Sequence, residues 1–324
     1  MSVNSLIQNR FIKPIKMFAL ECKHKNVKLG FNRLLSFIFH GTGISKSSVI
    51  KCRRIIEETL TKDYAHILRK YNDDYNVKTQ YDPNAPVWVL WLQGYDNAPP
   101  VVKKCINSIK NGTTHPVNLL TLDNFTQYIT LPDYIMEKYH KGIITNAQMS
   151  DIFRMTLLAE YGGLWIDATV YVPNAIPEEA FTNEFYTCKR KSEFANYYVS
   201  QYRWTSFING CQKGCVIQTA MKELFFEYWK RNDYLIDYLL VDFFMLVVYN
   251  NIDYAKQLID NHPYNQPQLE TLQEIMSEVF DKEKFDNITN NSNTDMFKLS
   301  WRMNFKKETD DGKQTFFGYF LQDQ

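Results

Sequence analysis

The sequence predicts an α/β protein built on a largely parallel sheet, and three observations lead to this class. From residue 87 onward, short apolar runs alternate with segments of helical periodicity, which is typical of parallel strands joined by helices. From about Gln212 the pattern becomes mostly helical. A length of 324 residues with 45% hydrophobic residues is enough for a large core and excludes a disordered chain.

The elements of the predicted sheet can be followed in order. The run VWVLWLQG, Val87 to Gly94, is rich in residues of buried strands, and Trp88 is expected in the core. APPVVKKCINSIKNG begins with proline and ends at glycine, so it predicts a helix. VNLLTLD predicts a second strand. Helices near 133–141 and 146–161 are expected next, followed by a strand from Leu164 to Ile166.

The first 80 residues differ from the rest of the chain in charge. They contain 15 Lys and Arg against 6 Asp and Glu, net +9, whereas residues 81–324 contain 22 against 30, net −8. We therefore expect a basic, mostly helical segment, 1–80, before a second domain, 81–324. The apolar run FNRLLSFIFHG in this segment leaves two interpretations open: an arm lying on an anionic membrane surface, or a helical subdomain packed on the main body.

Composition also argues against several classes of function. The run GTGISKS lacks the glycine that precedes the lysine of a phosphate loop. No secretory signal and no run of the ~20 apolar residues needed to span a bilayer is visible, and the basic segment has few aromatic residues for binding nucleic acid. The six cysteines are scattered along the chain: Cys22, Cys52, Cys105, Cys188, Cys211 and Cys215. We therefore expect a cytoplasmic protein with reduced thiols and without zinc.

The candidate site centres on SDIFRMTLLAEYGGLWIDATVYV, which spans 150–172. It predicts an amphipathic helix stopped by two glycines and a buried strand that runs into Asp167. Asp151 and Arg154 are three residues apart and share one helix face. Because ligands bind beyond the carboxyl ends of strands in open α/β sheets, we expect the three charged groups to converge at one crevice. The alternative is a surface ion pair between Asp151 and Arg154, worth about 0.3 kcal/mol.

These residues resemble a known family. The stretch is similar to the signature of the capsular polysaccharide synthesis glycosyltransferases and, more distantly, of the DXD sugar transferases that include the glucosyltransferase domains of the large clostridial toxins. The resemblance covers roughly residues 86–302, and it extends through PVWVLWLQGYDNAPPVVKKCINSIK, LPDYIMEKYHKG, RWTSFING and, more weakly, FKLSWR.

The resemblance implies a GT-A fold and a sugar-transfer reaction. The donor would be a nucleotide-sugar, with a UDP-sugar favoured, and the acceptor a glycan or lipid-linked glycan of a bacterial surface polysaccharide. The enzyme would then work in the cytoplasm, peripheral on the inner face of the membrane. The more distant relatives imply a hexosyltransferase that retains the anomeric configuration. RWTSFING could line the acceptor side, or form a buried strand and turn.

The resemblance also implies roles for individual residues. Trp91 would stack on the nucleotide base, and Trp165 would line the donor pocket. Asp151 and Arg154 would hydrogen-bond the donor sugar and the diphosphate. Asp167 would be the first acid of the DXD motif, touching ribose, sugar or a metal-bound water. These roles suit the side chains, because carboxylates accept bonds from hydroxyls, arginine binds phosphate and an indole stacks on a flat base.

Two departures from the family pattern bear on the metal ion. Thr169 stands where the last acid of the DXD motif is expected, and Phe297 stands before Lys298 where relatives tend to carry a histidine. In DXD enzymes a divalent ion neutralises the departing diphosphate, and hard cations favour anionic oxygen ligands. We expect a weak Mn²⁺ or Mg²⁺ site at Asp167. The alternative is that Lys298 or Arg302, both also expected near the donor, replaces the ion.

Two further functions remain open on the sequence. One is sugar transfer onto a protein, which the toxin resemblance allows and which would be detected by the acceptor that gains mass. The other is a non-catalytic protein that binds a nucleotide-sugar or a carbohydrate. Donor binding without turnover on any acceptor would identify that class.

Overall fold

The computed structural model describes residues 13–24, 26–192 and 195–322. A five-stranded sheet and a two-stranded sheet are found in this part of the chain. The first has strands β1 (Val87–Leu90), β2 (Val117–Leu120), β3 (Gly163–Ile166), β5 (Phe185–Thr187) and β6 (Ile208–Cys211). The second has β4 (Val170–Tyr171) and β7 (Phe297–Lys298).

The five-stranded sheet has the order β2-β1-β3-β6-β5. β1 pairs in parallel with β2 and with β3, whereas β6 is antiparallel to β3 and to β5. Four strands therefore run in one direction and β6 runs in the other. The predicted α/β class and the largely parallel sheet are confirmed, and they are consistent with the GT-A-like fold that the resemblance implies.

The helices flank the sheet and make up most of the rest of the described chain. Before β1 the chain forms α1 (Lys13–Lys23), α2 (Val27–Ile38), α3 (Gly43–Asp63) and α4 (Ala65–Arg69). Between β1 and β5 it forms α5 (Pro100–Asn111), α6 (Asp133–His140), α7 (Asn146–Tyr161) and α8 (Glu179–Thr182). After β6 it forms α9 (Val216–Arg231), α10 (Leu240–Asn251), α11 (Asp253–Asn261), α12 (Thr271–Glu274), α13 (Lys282–Asn291) and α14 (Phe316–Phe320).

The turn between α7 and β3 explains why two glycines lie there. Gly162 and Gly163 have φ angles of +72° and +90°, which side chains rarely tolerate. A Cβ at Gly163 would lie 2.1 Å from the carbonyl oxygen of Pro86, and that oxygen accepts a hydrogen bond from Leu164 N at 2.9 Å. The close approach seats β3 beside β1, and the two glycines end the helix as the sequence predicted.

Helix α7 differs from the amphipathic helix that was expected. Every side chain from Gln148 to Ala159 is buried except Ser150, because α7 lies between the sheet and α9. The N-terminus of the helix is capped by Thr145, whose hydroxyl accepts from Gln148 N. Burying a charge is costly unless it is paired, and on this helix Asp151 and Arg154 bond to each other.

Helices α1, α2 and α3 form a layer on the outside of the molecule, here called the N-terminal layer. Its buried residues, including Leu29, Ile56 and Leu60, join the same core cluster as residues of α9 and α10. Arg33 of the layer forms ion pairs with Glu21 and Asp237. The division of the chain into segments 1–80 and 81–324 stays a prediction, and residues 1–12 of the first lie outside the described residues.

The structure also shows where the remaining sequence features lie. Trp88 is buried in the core, as expected. GTGISKS forms the start of α3, where the Thr42 hydroxyl accepts from Ser45 N, and all six cysteines are free thiols. RWTSFING leads into β6, which starts at Ile208. Throughout the described ranges, each helix is either too short or too polar to cross a lipid bilayer.

Candidate active site

Asp167 directly follows β3, at the carboxyl end of the central strand. Its backbone N–H donates to the Phe207 carbonyl and its own carbonyl accepts from Val170 N, each at 2.9 Å. These bonds fix the turn after the strand. The side chain of Asp167 is 28% exposed, although the strand behind it is fully buried. The strand therefore ends on a carboxylate that is partly open to solvent, and the surface around it at this edge of the sheet is here called the crevice.

Three donors hold the Asp167 carboxylate in one orientation. Oδ1 accepts from the Trp165 indole Nε1 at 2.9 Å and from Arg154 Nη2 at 3.1 Å. Oδ2 accepts from Lys298 Nζ at 2.8 Å. Charge-assisted bonds of this kind are stronger than neutral ones. The carboxylate is thus fixed before any ligand arrives.

Arg154 links the two acids of the predicted site. Its Nη1 donates to Asp151 Oδ1 at 2.8 Å, while its Nη2 reaches Asp167. The guanidinium also lies over the Trp165 ring, 4.9 Å from its centre. Asp151 and Arg154 are both buried, so the interpretation as an ordinary surface ion pair is wrong. The predicted convergence of the three charged groups is found in the structure.

The two carboxylates differ in acidity because their neighbours differ. Burial alone would raise the pKa of Asp167, but the charges of Lys298 and Arg154 lower it to about 2. Burial raises the pKa of Asp151 to about 7, and Arg154 offsets only part of that rise. Asp167 is therefore ionised at neutral pH, whereas Asp151 gains or loses its proton near neutrality.

Lys298 reaches the site through the small sheet. β4, which follows Asp167, is antiparallel to β7, and Val170 lies opposite Lys298. The pairing brings Lys298 of β7 next to Asp167. Lys298 Nζ donates to Thr169 Oγ1 at 2.9 Å as well as to Asp167. The ammonium also lies 4.6 Å from the centre of the Phe207 ring. One cation therefore lies between Asp167 and Thr169.

The residues around Asp167 do not fit a divalent ion held by the protein. Both carboxylate oxygens of Asp167 already accept bonds from cationic side chains, and Thr169 accepts from Lys298. Among the side chains that the structure describes, no three from His, Cys, Asp and Glu lie close enough to hold an ion together. The ammonium of Lys298 lies between Asp167 and Thr169 and donates to both.

Trp91 follows β1, next to β3 at the same edge of the sheet. Its backbone N–H donates to the Leu120 carbonyl at 3.0 Å, and its ring meets Trp301 edge to face, with centres 5.7 Å apart. The buried Nε1 of Trp91 has no hydrogen-bond partner among the described residues. Trp301 is 43% exposed, and the Arg302 guanidinium lies 5.3 Å from its ring centre. Arg302 thus joins the tryptophan pair and not Asp167.

Trp165 has a different setting from the one that its predicted role requires. It is fully buried, and it touches the site through its Nε1 bond to Asp167 and its face against Arg154. It orients the charged groups in this structure. Contact of Trp165 with a donor stays a prediction, as do the ligand contacts of the other six residues named for the site.

Two residues near the crevice were missed by sequence reasoning. Trp204 Nε1 donates to Asp242 Oδ1 at 2.9 Å. Burial raises the pKa of Asp242 to about 6, and its charge in turn raises the pKa of Asp151. A signal was present, because Asp242 is the single acid in the apolar run LVDFFMLVV. Asp242 is the first of the two missed residues, and Trp301 is the second. The neighbour of Trp301, Arg302, had been named.

Comparison with known proteins places the chain in a family. Residues 38–320 match the family described as capsular polysaccharide synthesis protein, and the chain belongs to it. The match reaches further toward the N-terminus than the resemblance seen in the sequence. The chain is also 33% identical over 92 residues to the O-glycosyltransferase braB of Annulohypoxylon truncatum. That similarity covers 25% of this chain and 22%, about a fifth, of the relative.

Proposed function

We propose that the protein transfers a hexose from a nucleotide-sugar to a glycan acceptor in surface polysaccharide synthesis. A UDP-sugar is the favoured donor. The observation that carries this proposal is the fixed Asp167 carboxylate at the carboxyl end of β3, bonded to Arg154 and Lys298. Membership of the capsular polysaccharide synthesis family supports it. So does the similarity to an enzyme whose name is O-glycosyltransferase.

The reaction exchanges one bond at the anomeric carbon for another. The acceptor hydroxyl oxygen bonds to the anomeric carbon of the donor sugar, and the bond from that carbon to the diphosphate oxygen breaks. The bonding electrons leave with the nucleoside diphosphate, which takes up the hydroxyl proton directly or through water. Negative charge therefore grows on the diphosphate, and fixed positive charge beside it lowers the barrier.

The geometry supports a division of labour among the side chains. Asp151 and Asp167 are acceptors for sugar or ribose hydroxyls. Arg154, held by both acids, presents donors to oxyanions in a fixed direction. Trp91 and Trp301 offer apolar ring surface for the nucleotide base at the end of β1. Asp242, which accepts from Trp204, acts on Asp151 through its charge.

We infer that Lys298 supplies the positive charge that a divalent ion supplies in DXD enzymes. Its ammonium lies between Asp167 and Thr169, and Thr169 replaces the acid that would bind the ion. Because the residues around Asp167 do not fit an ion held by the protein alone, the proposed mechanism assigns this charge to Lys298 and takes no step through the expected Mn²⁺ or Mg²⁺. Arg302, the other cation considered, lies against Trp301 and is not assigned this role.

The sugar-transfer proposal is tested by nucleotide release over a panel of UDP-, GDP- and CMP-sugars with a glycan acceptor. We expect release from at least one donor by the wild-type chain. A panel that is bound but never turned over would instead identify a non-catalytic binding protein. Retention of the anomeric configuration, which the more distant relatives imply, is tested separately by the proton coupling constant at the anomeric position of the product.

The role of Lys298 is tested by comparing two substitutions with and without a chelator. Lys298→Met removes the cation and should lower kcat by about 10²–10³-fold, the usual effect of losing one group that stabilises developing charge. Lys298→Arg keeps the charge and should recover part of the rate. Chelator should leave the wild-type rate unchanged. A rate that collapses with chelator and survives Lys298→Met would reject the metal-independent mechanism.

The acceptor is inferred to be a glycan that is free or linked to a lipid. A lipid-linked acceptor would require the protein to work at an anionic membrane surface, at least transiently. Support for such a location comes from the charge of the first 80 residues, net +9 against −8 for the rest.

A further inference from the structure

The outer face of the N-terminal layer contains an apolar cleft with a cationic rim, here called the basic cleft. It is an open cleft of about 390 Å³, and the side chains that define it are Val27, Lys28, Phe31, Lys51, Arg54 and Ile55. Leu29 is buried against the main body. Val27 and Phe31 lie two residues from Leu29 on α2, so each is rotated by about 200° from it around the helix axis. The basic cleft therefore faces away from the body.

Apolar side chains are exposed in the N-terminal layer far more often than elsewhere. Of 14 valine, leucine, isoleucine, methionine and phenylalanine side chains that are exposed in the described ranges, nine lie between Ile15 and Ile50. Phe31, at the basic cleft, is 52% exposed. Scattered exposed apolar residues need no explanation, but a concentration of them marks a binding surface.

The charge of the same surface has one sign. From Lys13 to Ile56 the sequence has ten Lys and Arg and a single acid, Glu21, which is buried and bonded to Arg33. Across residues 13–24, 26–192 and 195–322, no ion pair involves Lys28, Lys51 or Arg54. Glu57 and Glu58, the next acids on α3, line an adjoining cleft together with Arg54, so acids begin at one end of the basic cleft. From Lys13 to Ile56 the exposed charges that the structure describes are all cationic, and with the apolar groups beside them they suit a partner that is both anionic and apolar.

We propose that the basic cleft and the apolar side chains around it dock the protein on an anionic lipid bilayer. The cations would lie at the headgroups and Val27 and Phe31 would enter the acyl boundary. A second copy of this chain fits less well, because it would bring together two faces that each carry an excess of cations. A hydrophilic polyanion would neutralise the cations but would leave the apolar side chains exposed.

Helix α10 connects this surface to the crevice. Arg33 of the layer pairs with Asp237, which lies just before α10. Asp242, on α10 itself, accepts from Trp204 and raises the pKa of Asp151. A lipid-linked acceptor could therefore be held by the same bilayer that holds the protein. This last step rests on the proposed sugar transfer, whereas bilayer docking does not.

Docking is tested by sedimentation of the full chain with phosphatidylcholine vesicles that contain or lack phosphatidylglycerol. The wild-type chain should sediment with the anionic vesicles, and less so at high salt. The triple variant Lys28→Gln, Lys51→Gln, Arg54→Gln should bind on the order of 100-fold more weakly, since each cation near an anionic surface contributes roughly five-fold. Equal binding by the two proteins would overturn the proposal.

A matched control removes the same charge from other surfaces. Lys78→Gln, Lys213→Gln and Lys307→Gln change three exposed lysines for which the structure gives no ion pair within the described chain. This variant should sediment like the wild type. Loss of binding to the same extent as in the basic-cleft variant would show that net charge, and not this surface, carries the interaction.

The apolar contribution has its own variant. Val27→Ser with Phe31→Ser should fold normally, because both side chains are more than half exposed, and should abolish the binding that persists at high salt. The proposal would be overturned if the wild-type chain bound duplex DNA but no vesicles. It would also be overturned if the wild-type chain bound no vesicles but formed a dimer that this variant loses. Nucleotide release with a water-soluble acceptor, run in parallel, separates this outcome from failure of the proposed reaction.

Discussion

At the crevice, Asp151, Arg154, Asp167 and Lys298 form one chain of ion pairs, whereas on the outer face of the N-terminal layer Lys28 has no ionic partner among the described residues. Both regions are rich in charge, but only the first is partly buried. Burial forces charges to pair, and pairing fixes their direction for a small ligand. Exposure lets cations stay unpaired and available to a large anionic surface. The two regions are therefore suited to different partners.

The largest expected effect is that of removing the central cation of the crevice. Arg154→Met leaves Asp151 buried without its partner, and breaking a buried pair in this way costs about 3–5 kcal/mol. Nucleotide release should fall to background, because Asp167 also loses a donor that orients it. Urea unfolding measures the first effect and the nucleotide-release assay the second.

The control for this variant is Lys141→Met. Lys141 pairs with Glu137 one helical turn away at the end of α6, and both side chains are exposed, so its loss should cost no more than about 0.5 kcal/mol. Similar destabilisation in the two variants would contradict the view that the crevice owes its order to buried pairs.

A smaller effect is expected from the cation that anchors the N-terminal layer. Arg33 bonds to the buried Glu21 and to Asp237, so Arg33→Met should loosen α1 and α2 from the body. Limited proteolysis should then cut the layer faster, while nucleotide release with a water-soluble acceptor stays close to that of the wild type. If release falls as far as in Arg154→Met, the two regions are not separable.

The pH dependence of stability should also distinguish the acids of the crevice. The pKa of Asp151 is raised from 3.8 to about 7, so its contribution to stability is fully present below about pH 4 and is lost as pH rises through about 7. Asp167 behaves in the opposite way. Its lowered pKa gives stability that is present above about pH 4 and is lost as pH falls through about 2.

Substitution of Asp242 tests this assignment. Asp242→Asn removes a like charge that raises the pKa of Asp151 and also removes the raised pKa of Asp242 itself. The fall in the free energy of unfolding between about pH 4 and 7 should therefore become smaller. Urea unfolding across this range measures it. An unchanged fall would mean that Asp151 and Asp242 do not titrate there.

The smallest effect is expected where the two regions should be independent. The triple variant of Lys28, Lys51 and Arg54 should release nucleotide at the wild-type rate with a water-soluble acceptor, because none of these side chains contacts the crevice. The same variant should be slower with a lipid-linked acceptor in anionic vesicles. Equal rates for both proteins with both acceptors would remove the link between docking and turnover.

Sequence reasoning succeeded where a local pattern carried the information. The helix and strand around Gly162 were predicted to within a residue, because a glycine pair marks the boundary between them. The convergence of Asp151, Arg154 and Asp167 followed from helix spacing and from the rule that ligands bind at the carboxyl ends of strands.

Sequence reasoning failed where the information lies in tertiary packing. The contact of Lys298 with Asp167 spans 131 residues and depends on β4 and β7, two-residue strands that are too short to show a period. The burial of both faces of α7 depends on α9, which is formed by a distant segment. The role of Trp301 likewise depends on its packing against Trp91.

Whether Asp167 serves sugar transfer is decided by the mass that an acceptor gains. A glycan acceptor is incubated with a nucleotide-sugar and with the wild-type chain, Asp167→Asn or Asp74→Asn, the last of which changes an exposed acid outside the crevice. We predict that the acceptor gains the mass of one sugar with the wild type and with Asp74→Asn, and gains none with Asp167→Asn. An equal gain with Asp167→Asn, or no gain on any acceptor with the wild type, would contradict the account.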